Sequence, residues 1–209
     1  MPRCSASRTA SRDDALPRSL PRHPEALATG RLVLEPLDAA HAERLFADLA
    51  DPALYRYIPT EPYATVDGLR ERYAHVARGP SAPDERWWNW ALVTRDGPRR
   101  ALGTVELSLA HGGRTALLAY ALGRAHWGCG YAFEACVQAL AYLRARAGPC
   151  EVEAYVDTRN ARSIALVERL GFARKGYVAN ADYFKGSPSD EYVFGIALHE
   201  VDDAETPGR

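Results

Sequence analysis

The chain reads as an α/β (α+β) fold built around one mixed sheet, and three observations say so. Apolar residues are 47% and charged residues 25% of 209, the usual balance for a chain that buries a core. The middle of the chain runs as short strands joined by tight turns, a meander. The second half then alternates strands with helical stripes in a β-α-β-α-β order.

The elements follow in order. Residues 31–37 alternate, with Leu32 and Leu34 set against Val33 and Glu35, and predict a first strand. Asp38 suits the N-cap of a helix over 39–50, where Leu45, Phe46 and Leu49 supply an apolar face. Asp51-Pro52 ends that helix. Thr65, Val66 and Asp67 open a second helix that reaches Arg78. Residues 86–94 (RWWNWALVT) are aromatic and β-branched, hence a strand. Asp96-Gly97 turns the chain into a strand over 101–109, and His111-Gly112-Gly113 turns it again into 115–122. A long helix follows Gly128–Gly130, with Ala132, Ala135, Cys136, Ala139, Leu140 and Leu143 on one stripe. Gly148-Pro149 stops it. A short strand at 151–156, a helix over 160–170 closed by Gly171, and strands at 172–178 and 191–197 complete the chain.

Residues 1–28 are rich in Arg, Ser and Pro, lack the apolar stretch of a secretory signal, and are expected to form a disordered extension. Residues 199–209 are an acidic tail. Residues 29–198 are then the single domain. With 26 Lys+Arg against 27 Asp+Glu, the chain has no positive excess to hold a phosphate backbone, so nucleic acid is not its partner. No apolar run approaches the ~18 residues of a membrane span. A cytoplasmic location is the default expectation. The four cysteines, Cys4, Cys129, Cys136 and Cys150, show no C-x-x-C pair and no histidine pair at ligand spacing, so neither a disulfide framework nor a metal is expected.

Two stretches carry chemistry. In 117–135 (LLAYALGRAHWGCGYAFEA) a strand ends near Leu122 and Gly128-Cys129-Gly130 leads straight into a helix. Two glycines there let the backbone turn tightly and approach a ligand. The N–H groups of Gly128, Gly130, Tyr131 and Ala132 would then form a phosphate cradle at the helix N-terminus. A plain strand-to-helix turn is the other reading. In 160–172 (NARSIALVERLGF), Asn160 and Ser163 share the first turns of a helix. Asn160 reads most simply as an N-cap. No G-x-x-x-x-G-K-[ST] is present and the G-x-G lacks a third spaced glycine, which argues against a nucleotide-binding domain.

Together these stretches resemble the GCN5-related N-acetyltransferase (GNAT) family over residues 29–198. Ala125-His126-Trp127-Gly128-Cys129-Gly130 is similar to that family's Q/R-x-x-G-x-G/A phosphate loop, and 160–172 to its N-x-x-S/A…L-G-F segment. Thr29-Gly30-Arg31-Leu32-Val33-Leu34, Asp51-Pro52, Leu102-Gly103-Thr104, Tyr120-Ala121-Leu122 and Trp127-Gly128-x-Gly130-Tyr131-Ala132-x-Glu134-Ala135 look most like the ribosomal-protein-alanine/serine (Rim-type) subgroup. The resemblance implies a twisted sheet of about seven strands, splayed in the middle and flanked by about four helices. It implies acetyl-CoA as cosubstrate, with the pyrophosphate on Trp127–Ala132, the pantetheine along the strand end at Ala121 and Leu122, and a backbone N–H there on the thioester oxygen. Asn160 would bond the pantetheine and Ser163 would sit near the phosphates or the sulfur. No metal is implied. The acceptor would be a primary amine, in the Rim-type case a protein N-terminus.

The sequence departs from the family at two places. Ala125 stands where the loop often begins with Gln or Arg, with Arg124 one residue earlier. Val167 stands where many members carry a Tyr acid, so the leaving thiolate takes its proton from elsewhere, from water or Ser163. An alkylammonium with a pKa near ~10 must lose a proton before it attacks, and Glu106 is the candidate base. Thr104, Glu106 and Ser108 share one strand face; a solvated strand face is the plainer reading. Glu134 reads as a helix-stabilising first-turn acid. Cys129, at a helix N-terminus, has no argued partner base. Trp87, Trp88 and Trp90, with Tyr55, Tyr57 and Tyr131, read as pocket lining or as core. His126 reads as a loop residue. Acceptor choice is expected to lie in loops near 55–65, 80–86 and 179–190. A small-amine acetyltransferase and a non-catalytic acyl-CoA-binding module are the alternatives, and the chain is a monomer or a homodimer.

Overall fold

The structure, a computed structural model, describes residues 20–199. In chain order it contains β1 (Leu27–Ala28), β2 (Leu32–Pro36), α1 (His41–Leu49), α2 (Val66–Arg78), β3 (Arg86–Thr94), β4 (Ala101–Ala110) and β5 (Thr115–Leu122). Then come α3 (Tyr131–Ala147), β6 (Cys150–Asp157), α4 (Ala161–Arg169), β7 (Ala173–Phe184) and β8 (Ser187–Leu198). Short 3₁₀ turns span Pro52–Tyr57, His111–Gly113 and Arg124–His126. The strands form one mixed sheet in the order β1-β2-β3-β4-β5-β6-β8-β7. That is eight strands against the seven expected; the addition is β1, two residues too short to show a period, paired antiparallel with Val33 and Leu34.

The sheet has two differently covered faces. Alternation in β3 and β4 sends Trp88, Trp90, Leu92, Val105 and Leu107 to one face, where the small-residue stripe Ala135, Cys136, Ala139 and Leu143 of α3 packs on them. On the other face α1 and α2 lay Leu45, Leu49, Leu69, Tyr73 and Val76 over Ala91, Val93 and Ala101. Trp88 and Trp90 stack edge-on against Tyr142. Their indole N–H groups, which need acceptors when buried, donate to Pro21 O at 3.0 Å and Glu25 O at 2.8 Å. Residues 20–28, which the sequence assigns to the extension, are thereby folded onto the sheet, and Leu20 and Leu27 are buried. Residues 1–19 and 200–209 lie outside the described residues.

Two local expectations shift. Asp38 does not cap α1 from the N-cap position, which is Ala40; its Oδ1 accepts the Ala40 N–H at 2.9 Å and meets His41 Nδ1 at 2.8 Å. The segment 179–190, expected as a loop, is the end of the β7–β8 hairpin, closed by a two-residue turn with positive φ at Lys185 and Gly186.

One feature positions the site. β5 and β6 run parallel and pair only through Thr115–Leu117 and Glu151–Glu153. Beyond Leu117, β5 continues to pair with β4, and β6 with β8, but not with each other. The sheet splits there, as expected, and the split opens toward the N-terminus of α3.

Candidate active site

At the mouth of the split, the chain leaves β5 and runs through 123–130 into α3. Gly128 (φ 74°) and Gly130 (φ 79°) both take the left-handed conformation, and Gly130 is the N-cap of α3. Helix geometry leaves the N–H groups of Tyr131, Ala132 and Phe133 without intrahelical acceptors, and the helix dipole adds positive potential. Trp127 folds back, its Nε1 donating to Leu122 O at 2.8 Å. The loop residues that the sequence singles out, Trp127 to Ala132, are thus one continuous turn beside the end of β5, closed on the helix N-terminus.

Three arginines surround this turn. Arg31 lies 4.5 Å over the Tyr131 ring, Arg162 lies 4.8 Å over Trp127, and Arg169 lies 4.0 Å over Phe133. Arg31 also donates from Nη1 to Cys129 O at 2.9 Å and from Nε to Glu134 Oε2 at 2.7 Å. Glu134 Oε1 accepts from the Arg31 N–H at 2.8 Å and from Thr29 Oγ1 at 2.5 Å. Burial opposes ionisation of Glu134, but these hydrogen bonds and the Arg31 charge outweigh it and hold the carboxyl below its ordinary range. Glu134 is therefore a brace for the loop, as its first-turn place suggests. The sequence alone assigns no role to Arg31, Arg162 or Arg169. The spacing of seven between Arg162 and Arg169, two turns on one helix face, was the available signal. Arg124 lies elsewhere, lining a hollow with Asp48 and Asp51 under α1, and His126 stands 3.4 Å from Asp48.

The end of β5 separates the two candidate backbone donors. Gly123 N–H donates to Leu102 O at 2.9 Å, which makes 102/123 a hydrogen-bonded pair in the antiparallel register that also aligns Thr104 with Ala121. Such pairs alternate, so the Ala121 amide is directed at β4 and the Leu122 amide at the split. Ala121 is thereby removed as a backbone donor; Leu122 remains. The strands come very close here: a Cβ on Gly103 would lie 2.0 Å from Ala121 O and 2.7 Å from Leu122 Cα.

Across the gap, the first turn of α4 faces β5. Asn160 is the N-cap, its Oδ1 accepting the Ser163 N–H at 3.2 Å, and Ser163 O accepts from the Tyr120 hydroxyl at 3.4 Å. Burial pushes the Tyr120 phenol up to about 12. Asn160 and Ser163 thus border the split, with the Asn160 oxygen committed to capping.

Glu106 sits on the α1/α2 face of β4, opposite Asn89 on β3 and Ala119 on β5. It is half-buried, and its carboxylate accepts from Thr104 Oγ1 at 3.3 Å. Burial raises its pKa against the opposing effects of the Arg72 charge and the Thr104 hydrogen bond. It is not a fully solvated strand residue. Glu106 is two residues from the level of Ala121 on the register, about 7 Å along the strand. Val167 is fully buried in the core and offers no acid. Cys129 is exposed, its Sγ 3.6 Å from Trp127 O. Trp88 and Trp90 are core, and Trp87 leans on His75.

Residues 31–173 match the model of the acetyltransferase (GNAT) domain. The uncharacterized N-acetyltransferase p20 of Bacillus licheniformis is 26% identical over 178 residues, 84% of this chain and 98% of that protein. The structure of a GNAT-family acetyltransferase from Bacillus anthracis superposes with a TM-score of 0.70 at 20% identity, covering 82% of this chain and 97% of the other. That of spermidine N-acetyltransferase from Vibrio cholerae, in complex with CoA and spermine, does so with a TM-score of 0.67 at 22% identity, over 81% and 97%. A split sheet whose gap ends on a glycine turn and a helix N-terminus is what the family model spans in this sequence. The chain belongs to the GNAT acetyltransferase family and is an acyltransferase.

Proposed function

We propose that the protein moves an acetyl group directly from acetyl-CoA to a primary amine, and that the acceptor is a protein N-terminal α-amine. The observation that carries the transfer reading is the three-rung pairing of β5 and β6, which leaves the Leu122 amide facing an open gap between the glycine turn and Glu106. The residues fit the cosubstrate. The free amides of Tyr131 to Phe133, with Arg31 and Arg162, suit a diphosphate, and the gap suits an extended chain that takes the place of a strand. Acetyl-CoA supplies the thioester and a stable leaving thiolate. Leu122 N–H donates to the thioester oxygen, a bond that strengthens as charge develops there. Glu106 takes the proton of the acceptor ammonium, directly or through one water. An α-amine, with a pKa near ~8, gives up that proton more easily than a side-chain amine.

The acceptor reading rests on the shape of the α1/α2 face. α1 and α2 cover it over β2 to β4, but beyond Glu106 it lies open: Ser108 and Ala119 are exposed, and Leu117 and Tyr155 are 46% and 49% exposed. An extended chain end can lie along that strip with its first nitrogen at Glu106. The motif likeness to the Rim-type subgroup points the same way. The spermidine enzyme shares the fold at 22% identity, which keeps a polyamine as the competing acceptor.

A thiol-release assay with acetyl-CoA separates these readings. Peptides with free Ser or Ala N-termini should release CoA, and the same peptides with acetylated N-termini should not. Release with spermidine alone would move the acceptor to a small polyamine. Calorimetric binding of acetyl-CoA without release on any amine would reject the transfer reading.

A further inference from the structure

The layer between α2 and the sheet contains a polar atom that packing alone does not explain. Tyr73 lies on the inner face of α2 with Leu69 and Val76, and its residue surface is only 5% exposed. Its hydroxyl oxygen is closed to solvent and has no hydrogen-bond partner among the described residues. A buried hydroxyl with no hydrogen-bond partner costs stability relative to a satisfied one. A phenylalanine would fill the same space without that cost.

The surroundings of this hydroxyl belong to the acceptor side. The charge of Glu106 acts on it, as do the phenols of Tyr55 and Tyr63 and the guanidinium of Arg72. Burial first, and the Glu106 charge second, raise its pKa, so it stays a neutral phenol able both to donate and to accept. Tyr55 is already committed, its hydroxyl donating to Leu49 O at 2.9 Å. Small side chains line the sheet around Glu106: Ala91 on β3, and Ala119 and Ala121 on β5. Thr104 Oγ1 is spent on Glu106. The Tyr73 hydroxyl has no partner and the Glu106 carboxylate has the Thr104 hydroxyl, with Asn89 directly across from it on β3.

We propose that Tyr73 seats the acceptor: its hydroxyl oxygen accepts one N–H of the acceptor nitrogen while the Glu106 carboxylate receives the proton that nitrogen must lose. The proposal rests on the reading of Glu106 as the base. The ammonium arrives with its protons. Of its three, one passes to a Glu106 oxygen, a second stays on nitrogen and points to Tyr73 Oη, and the freed electron pair forms the bond to the acetyl carbon; as the carbon–sulfur bond breaks, the third leaves the nitrogen and is taken up by the departing CoA thiolate, so that amide and thiol are the products. Two fixed acceptors orient that pair, where one carboxylate would leave the nitrogen free to turn. The Tyr73 hydroxyl is closed to solvent, so a bond made to it gains strength from the low local dielectric.

Tyr73→Phe tests this on the full chain, with the acceptor peptide that the wild type turns over. Loss of the seat lowers kcat/KM for the peptide about ten- to a hundredfold, the effect of one hydrogen bond to a charged group. Acetyl-CoA affinity by calorimetry stays at the wild-type value, and Tm holds or rises because an unsatisfied hydroxyl has been removed. A phenol that serves only as core bulk gives wild-type kcat/KM in the same variant, and that result overturns the proposal. Activity lost together with a fall in Tm overturns it too, because the damage is then to the fold. If the wild type acetylates no amine, the reading of Glu106 fails first and the seat fails with it. Wild-type turnover with an indifferent Tyr73→Phe removes the seat alone.

Discussion

Two glutamates stand on opposite faces of the same split sheet and are pushed in opposite directions. Glu134, in the first turn of α3, is met by Thr29 and by Arg31 through backbone and side chain, and its carboxyl is held low. Glu106, in the middle of β4, has one hydroxyl and a distant Arg72, and its carboxyl is raised by burial. The residue type is the same, and burial opposes the charge of both, more strongly at Glu106. The number of donors brought to each differs as well, and in the same sense. A carboxylate with all its partners is a brace. A carboxylate short of partners has capacity left for a ligand's N–H bonds, as the proposed role of Glu106 requires.

Glu106→Gln gives the largest break in this contrast. kcat/KM for the acceptor should fall by about 10²–10⁴, the range of a lost general base, while acetyl-CoA still binds. In the wild type the activity should decline as pH falls through the raised pKa of Glu106, that is, starting above the ordinary carboxylate value of 4.5. That limb should vanish in the Gln variant. Stability should follow the opposite sense: the ionised Glu106 costs stability at neutral pH, so the Gln variant should melt no lower than the wild type.

Gly103→Ala comes next. The added Cβ meets the backbone of Ala121 and Leu122, so β4 or β5 must move. We expect a loss of about 1–3 kcal/mol, with Tm falling about 2–4 °C for each kcal/mol. Acetyl-CoA binding should weaken as well, since the Leu122 amide moves with its strand. Unchanged Tm and affinity would show that the close approach does not set the strand end.

Glu134→Gln has the smallest expected effect, about 1 kcal/mol of stability at pH 7. The folded pKa of Glu134 is lowered, so its contribution is present above 4.5 and is lost as pH falls through the lowered value. The Tm gap between wild type and variant should therefore close below pH ~4. A gap of the same size at pH 3 and pH 7 would mean that the carboxylate charge is not what braces the loop.

Much of this was legible in the sequence because the signals are local. The 3.6-residue stripe of α3, the alternation in β3 and the glycine pair before Tyr131 each fix an element from neighbouring residues alone. The cap at Asn160 followed in the same way, while Trp88 and Trp90, open between pocket lining and core, are settled as core only by the packing of Tyr142 and α3. What escaped depends on distant partners. The 20–28 segment carries no period; it is held because two indole N–H groups more than sixty residues away need acceptors. Arg31 reaches the loop across about a hundred residues of chain. The orientation of the Ala121 and Leu122 amides depends on register, which side-chain alternation does not reveal. The 179–190 stretch, polar on both sides, gives no alternation to mark it as a strand, although Lys185-Gly186 is a serviceable hairpin turn.

The pairing of β5 with β6 has a mechanical side. The strands β1 to β5 form one antiparallel stack, and β6, β8 and β7 form another. Three rungs join the two stacks. Few hydrogen bonds have to break along that line, fewer than between any neighbouring pair among β2 to β5 or among β6, β8 and β7, so amide exchange should be faster beside it than inside those pairs. The core beneath spans both stacks, so it is packing more than the ladder that joins them there. A ligand lying in the gap would add rungs where the chain supplies none, and so tie the two stacks together.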